Sequence, residues 1–362
     1  MEQVQKPSRI AYLDSLRLAA MVGVVLIHVC AVLVTDLAAD GQMPGFVWHL
    51  ANLLDSASRF AVPVYFMLTG ALLLGDDRSL SPRGILRHRV VRIAVPLAVW
   101  SVVYLLFRAL WQIVLQTVWP SILRPEDEFV LAKALRSLVS QPAAVHLWYL
   151  YALLIIYLLL PFLRLLVKHA PRRLLIYGLG LWFVFSSLWR ALAGLLPELS
   201  LQTYANPDFL GGYIGYVLLG WVLATTEKIP RRRWLVVGYA AAALVTTAAT
   251  YMMTLGAGEL NGVFYQYFMP NVVVMAACVF LFFRASDTGR PSSQMAASLA
   301  GLSFGVYLIH ELFVLLLTPV MRWLPPIVSL LLVPALVLLL ALISAAALRK
   351  TKATRFLFLG GR

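Results

Sequence analysis

The segment YLDSLRLAAMVGVVLIH, residues 12–28, places Asp14, Arg17 and His28 inside an apolar run long enough to cross a bilayer. Ionisable groups at that depth are costly and need a reason. In a helix the step from Arg17 to His28 is about three turns, so both share a face roughly 16 Å apart along the axis, with Asp14 nearly on the same stripe. A guanidinium near one end and an imidazole deeper in suit an anionic group and general acid or base work. A second set is SFGVYLIHEL, residues 303–312, which buries His310 and Glu311, with Tyr307 one turn before His310. These are expected to face a wet cavity or to pair with Arg17 or Arg59. The third is ILRHRVVRIAVP, residues 85–96. Arg89 and Arg92 can face one way at a helix start, and with Arg83 and Arg87 they form a compact cationic site suited to phosphate. Topology alone accounts for many such clusters, but Arg92 enters the apolar span instead of stopping before it.

Two further stretches carry polar groups. RFAVPVYFMLTGALLLG, residues 59–75, holds Arg59 and Thr69, and its Pro63 and Gly70 are expected to break the helix where backbone lines a cavity. HLWYLYALLIIYLLLP opens with His146, Trp148 and Tyr149, either an interfacial aromatic belt or part of a substrate site. Arg108, Arg190, Asn206 and Asn271 are isolated and read as structural. No phosphate-binding loop, dinucleotide fingerprint, HExxH pair or GxSxG elbow occurs. Cys30 and Cys278 both lie in apolar stretches and read as core, so no disulfide framework or metal site is expected.

The elements that must position these groups are membrane helices. The 362 residues are 61% hydrophobic and 13% charged, about half the charge of a soluble domain. The reading is an all-α polytopic bundle forming one domain over 1–362, with ten spans at about 10–34, 58–75, 92–116, 147–167, 173–196, 209–226, 234–255, 262–284, 297–320 and 326–348. The net charge of +14 sits in short clusters between spans, which points to topology and not to nucleic acid. Lys6 and Arg9, Arg78 to Arg89, Lys168 to Arg173, Lys228 to Arg233, Arg290, and Arg349 to Arg355 alternate with segments rich in acids, among them Asp36, Asp40, Asp55, Glu126 to Glu128, Glu198, Asp208 and Glu259. Both termini are therefore expected in the cytoplasm. Residues 117–146 form the longest loop, with a short helix expected over Val130 to Val139. Residues 41–58, with Phe46 and Trp48, suggest a helix lying at the outer interface.

Taken together, these motifs resemble acyltransferase family 3, the integral-membrane O-acyltransferases. YLDSLRLAAMVGVVLIH resembles the family's opening, with an arginine and a histidine in the first span. RVVR matches its arginine pair before the third span, VPVYFMLTG its second span, HLWYL its fourth and SFGVYLIH its near-terminal motif. Thr69 stands where the family usually has serine, which keeps a hydroxyl. The resemblance covers most of the chain, without an appended hydrolase-like domain.

It implies transfer of an acyl group, usually acetyl, from cytoplasmic acetyl-CoA to a hydroxyl of an exopolysaccharide or lipid-linked glycan, by a multi-pass protein of the bacterial inner membrane. Its partners would be membrane lipids, coenzyme A and the glycan, with no metal. On that reading His28 is the general base or, less directly, an acyl carrier, Arg17 guides the donor, and Asp14 orients Arg17. His310 and Glu311 complete the acceptor side, while Arg83, Arg87, Arg89 and Arg92 hold the coenzyme A phosphates. Arg59, Thr69, His146, Trp148 and Tyr307 would meet substrate. A polar path through ten spans also suits a glycan or lipid transporter, but no paired broken helices in corresponding halves are evident.

Overall fold

A computed structural model describes residues 10–43, 45–75, 82–118, 120, 130, 142–195 and 212–361. Apart from Val130, the short helix expected over Val130 to Val139 lies outside them. In chain order the helices are α1 (Ala11–Ala39), α2 (Phe46–Ser58), α3 (Ala61–Leu73), α4 (Pro82–Ile85), α5 (Val91–Val118), α6 (Trp148–His169), α7 (Arg172–Trp182), α8 (Trp189–Leu195), α9 (Tyr213–Ala224), α10 (Arg232–Ala257), α11 (Pro270–Arg284), α12 (Gln294–Ala300), α13 (Ser303–Trp323), α14 (Pro326–Leu348) and α15 (Lys352–Leu359). Among the described residues nine helical segments are long and apolar enough to cross a membrane, and α9 is a shorter apolar helix. No strand occurs among them beyond one isolated bridge between Ile10 and Pro291. The molecule is an all-α polytopic membrane bundle.

Two compact units make up the chain. Residues up to Asp76 together with Phe162–Ser303 form the first, which holds α1 to α3, the end of α6 and α7 to α12. Here α1 packs on α2, α3, α11 and α12, and α3 packs along α9. With no water to drive burial between helices, close backbone approach supplies the packing energy. Gly70 on α3 and Gly220 on α9 permit it: a Cβ on Gly70 would fall on the Val217 carbonyl, and one on Gly220 on the backbone of Met67.

This revises the expected second span. Pro63 sits in the first turn of α3, where a missing N–H is tolerated, and the helix runs through Gly70 unbroken. The interruption lies earlier, at Arg59 and Phe60, so the apolar segment begins at Phe46 instead of residue 58 and Arg59 stands at its joint. The helix expected at the interface is the first half of this segment, and its Trp48 is fully buried.

The second unit, Asp77–Pro161 with Phe304–Arg362, holds α4, α5, the start of α6 and α13 to α15. A π-helical turn, Leu86–Val90, leads into α5. The amphipathic α15 lies against α5, where Trp100 Nε1 donates to the Phe358 carbonyl at 2.9 Å. The chain then turns left-handed at Gly360 (φ 61°), directly over the carbonyl of Arg92. Only glycine meets both demands, a positive φ and no room for a Cβ.

Candidate functional site

In the first unit the start of α1 carries a closed ion pair. Asp14, 2% exposed, accepts from Arg17 Nη1 at 2.8 Å and from Ser292 Oγ at 2.7 Å. The loop before α12 thus takes one carboxylate oxygen and leaves the other to Arg17, which fixes the guanidinium on its helix. Arg17 keeps 29% exposure. Asp14 and Arg17, expected on nearly one stripe of α1, are in direct contact there. Further along α1, His28 is half-buried and Cys30 fully buried.

The joint between α2 and α3 carries a second pair absent from the sequence reading. Asp55, counted there among acids of external loops, is completely buried and accepts from Arg59 Nη2 at 2.6 Å. Arg59 lies over the Tyr265 ring, 4.1 Å from its centroid, and the Tyr265 hydroxyl donates to Asn52 Oδ1 at 2.6 Å. Ser56 donates to the same oxygen at 3.2 Å, and Asn52 donates to the Thr247 carbonyl at 3.0 Å. The signal that could have found this network was the spacing of Asn52, Asp55, Ser56 and Arg59, which share one face of a helix at three- and four-residue steps. Thr69, on α3, returns its hydroxyl to the Tyr65 carbonyl at 3.1 Å.

In the second unit the arginine cluster lines a cavity of about 400 Å³. His88, Arg89 and Arg92 share its wall with Tyr157, Phe304 and Gly360. The π-helical turn and the first turn of α5 set these cationic groups on one side, and the end of α15 closes the other. Arg87 is exposed and not among the lining residues; the side chain of Arg83 lies outside those described.

The same unit gathers His146, Tyr307 and His310. The His146 ring meets the edges or faces of Tyr104, Tyr307 and His310 at centroid distances of 5.0, 5.4 and 5.2 Å. Tyr307 donates its hydroxyl to the His146 carbonyl, and Tyr104 to the Leu308 carbonyl at 2.7 Å. His310 Nδ1 stands 2.7 Å from the Tyr307 carbonyl, an acceptor, so Nδ1 carries the proton and Nε2 is left as the basic nitrogen. His146 is therefore buried among rings and is not an exposed belt residue; Trp148 beside it is half-buried, and Glu311 is 8% exposed.

The sequence-predicted residues thus fall into the two units: Asp14, Arg17, His28, Arg59 and Thr69 in the first, and Arg83, Arg87, Arg89, Arg92, His146, Trp148, Tyr307, His310 and Glu311 in the second. What they offer chemically is imidazole for proton transfer and guanidinium for anions. No curated protein and no solved structure matches the chain. A family model described as an acyltransferase domain matches residues 10–349. With nearly its whole length covered by that match, helices and polar motifs together, the chain belongs to acyltransferase family 3.

Proposed function

We propose that this membrane acyltransferase moves an acyl group, most simply acetyl, from acetyl-CoA on the cytoplasmic side to a sugar hydroxyl of an exopolysaccharide or lipid-linked glycan. Both termini face the cytoplasm and the membrane is a bacterial inner membrane. The observation that carries the donor is the cavity of about 400 Å³ with Arg89, Arg92 and His88 in its wall. Guanidinium groups clustered at one end of a pocket favour phosphate, and Tyr157 and Phe304 add apolar surface suited to a ring. Arg87, on the turn leading into this wall, adds positive field at its approach, and Arg83 is a further phosphate-binding residue on this reading.

His28 is the general base. Its imidazole takes the proton of the acceptor hydroxyl as that oxygen attacks the thioester carbonyl. The new C–O ester bond forms, the C–S bond breaks, and the departing sulfur takes the proton back as free thiol. Arg17, held by Asp14, guides the anionic donor along α1 and offers positive charge toward the developing oxyanion. His310, with Nε2 basic, and Glu311 accept hydrogen bonds from acceptor hydroxyls. Tyr307 and His146 hold that imidazole in place, while Trp148 and Thr69 shape the acceptor path. Arg59, paired with Asp55, meets substrate.

The test is mass analysis of surface and lipid-linked glycans from cells carrying wild type or His28→Ala. The expected outcome is glycan of normal amount that lacks its acyl groups. Glycan missing from the surface would favour transport instead, and identical acylation in both strains would overturn the proposal.

A further inference from the structure

Within the first unit, α1 runs antiparallel to α2 and α3 in a register pinned at three places. The Tyr65 hydroxyl donates to the Arg17 carbonyl at 3.5 Å, Gly23 faces Ala61 and Phe60, and Trp48 Nε1 donates to the Val34 carbonyl at 3.2 Å. Interpolating at the common helical rise sets Asp55 opposite Ile27, at the level of His28. Helical steps of three and four between Gly23 and Val34 put Ile27 and Cys30 on the same stripe of α1, and His28 is the next residue after Ile27 on that turn. Asp55 and His28 are also within electrostatic reach of each other.

The state of the carboxylate is informative. Asp55 Oδ2 is taken by Arg59, while Oδ1 is buried without a hydrogen-bond partner among the described residues. A fully buried carboxylate with one open oxygen is expensive. The other charged and titratable groups around Asp55 are Arg59 on its own segment, Cys30 on α1, and Tyr265 and Tyr267 ahead of α11. Of these, Arg59 alone is a cation at any working pH, and its 2.6 Å contact offsets part of the cost of burying the carboxylate.

We infer that Asp55 is the counter-charge of His28: a positioning residue whose carboxylate, held by Arg59 at the α2–α3 joint, stabilises the imidazolium formed when His28 takes the hydroxyl proton. This rests on the reading of His28 as general base. In a site of low dielectric a fixed negative charge acts at a distance that water would screen, so no direct bond to the ring is required.

The experiment uses the full chain in nanodiscs, acetyl-CoA as donor probe and the glycolipid fraction of the producing cells as acceptor, with release of free thiol as readout. Asp55→Asn is expected to lower kcat on the order of 10²-fold and to leave KM for acetyl-CoA within about twofold, because the effect is confined to the chemical step. Asp55→Glu is expected to restore most of the loss. Adding Asp55→Asn to His28→Gln should lower kcat no further. Since leaving Arg59 buried and unpaired can itself unfold the protein, Asp55→Asn combined with Arg59→Gln supplies a neutral pair of similar shape, expected to fold and to be equally slow. Wild-type kcat in that folded double variant, equal losses for Asn and Glu, or additive losses with His28→Gln would each overturn the inference. A His28→Gln protein with wild-type kcat would overturn the base assignment itself, whereas an inactive His28→Gln beside a fully active Asp55→Asn would overturn only the role of Asp55.

Discussion

At the scale of single residues, charge and depth decide what a side chain can do. Arg89 and Arg92 both line the cavity, and Arg87 does not. Arg89→Ala and Arg92→Ala should each raise KM for acetyl-CoA about tenfold with a smaller change in kcat, and Arg87→Ala should change KM less than about threefold, in steady-state kinetics on the full chain. Losses of kcat with KM unchanged would show that these arginines act on the chemical step and do not hold the donor. Arg17, His28 and His310 could be picked out in the sequence as candidates because an ionisable residue in an apolar run stands out by its cost. Asp55 was not, because an acid near a span boundary is indistinguishable in a charge count from one in a loop. Its burial depends on α10 and on the turn before α11, which supply Thr247 and Tyr265 to the network from 195 and 213 residues beyond Asn52.

Among the elements, α3 shows what hydropathy can and cannot reveal. Its apolar character was plain, but Pro63 and Gly70 suggested a broken helix, and the structure uses the two differently. Proline opens the helix, and glycine lets α9 approach backbone to backbone. Which partner a glycine serves is a tertiary fact with no local sequence signal. Gly70→Ala is expected to destabilise the protein by about 1–3 kcal/mol or more, since the obstacle is the Val217 backbone and not the tip of a flexible side chain. Gly178→Ala, on α7 with open space around it, should be neutral or slightly stabilising. Thermal unfolding of both variants in one detergent checks this, and equal midpoints would show that α3 and α9 can move apart at little cost.

For the molecule as a whole, composition and loop charge carried the class: an all-α bundle of long apolar helices, with the family motifs in their expected order along the chain. What they could not convey is that the polar groups divide between two compact units, because that grouping arises from contacts between distant segments. The alternation of basic and acidic loops predicts both ends in the cytoplasm, so a fluorescent reporter fused before Met1 or after Arg362 should glow, and alkaline phosphatase at either place should be inactive. Active phosphatase at one end would require an odd number of spans. The seat of α15 adds a matter of timing. Leu359 and Gly360, which complete the wall beside Arg92, leave the ribosome only after α14 has done so. Every described span can therefore insert before the arginine cavity has its last side.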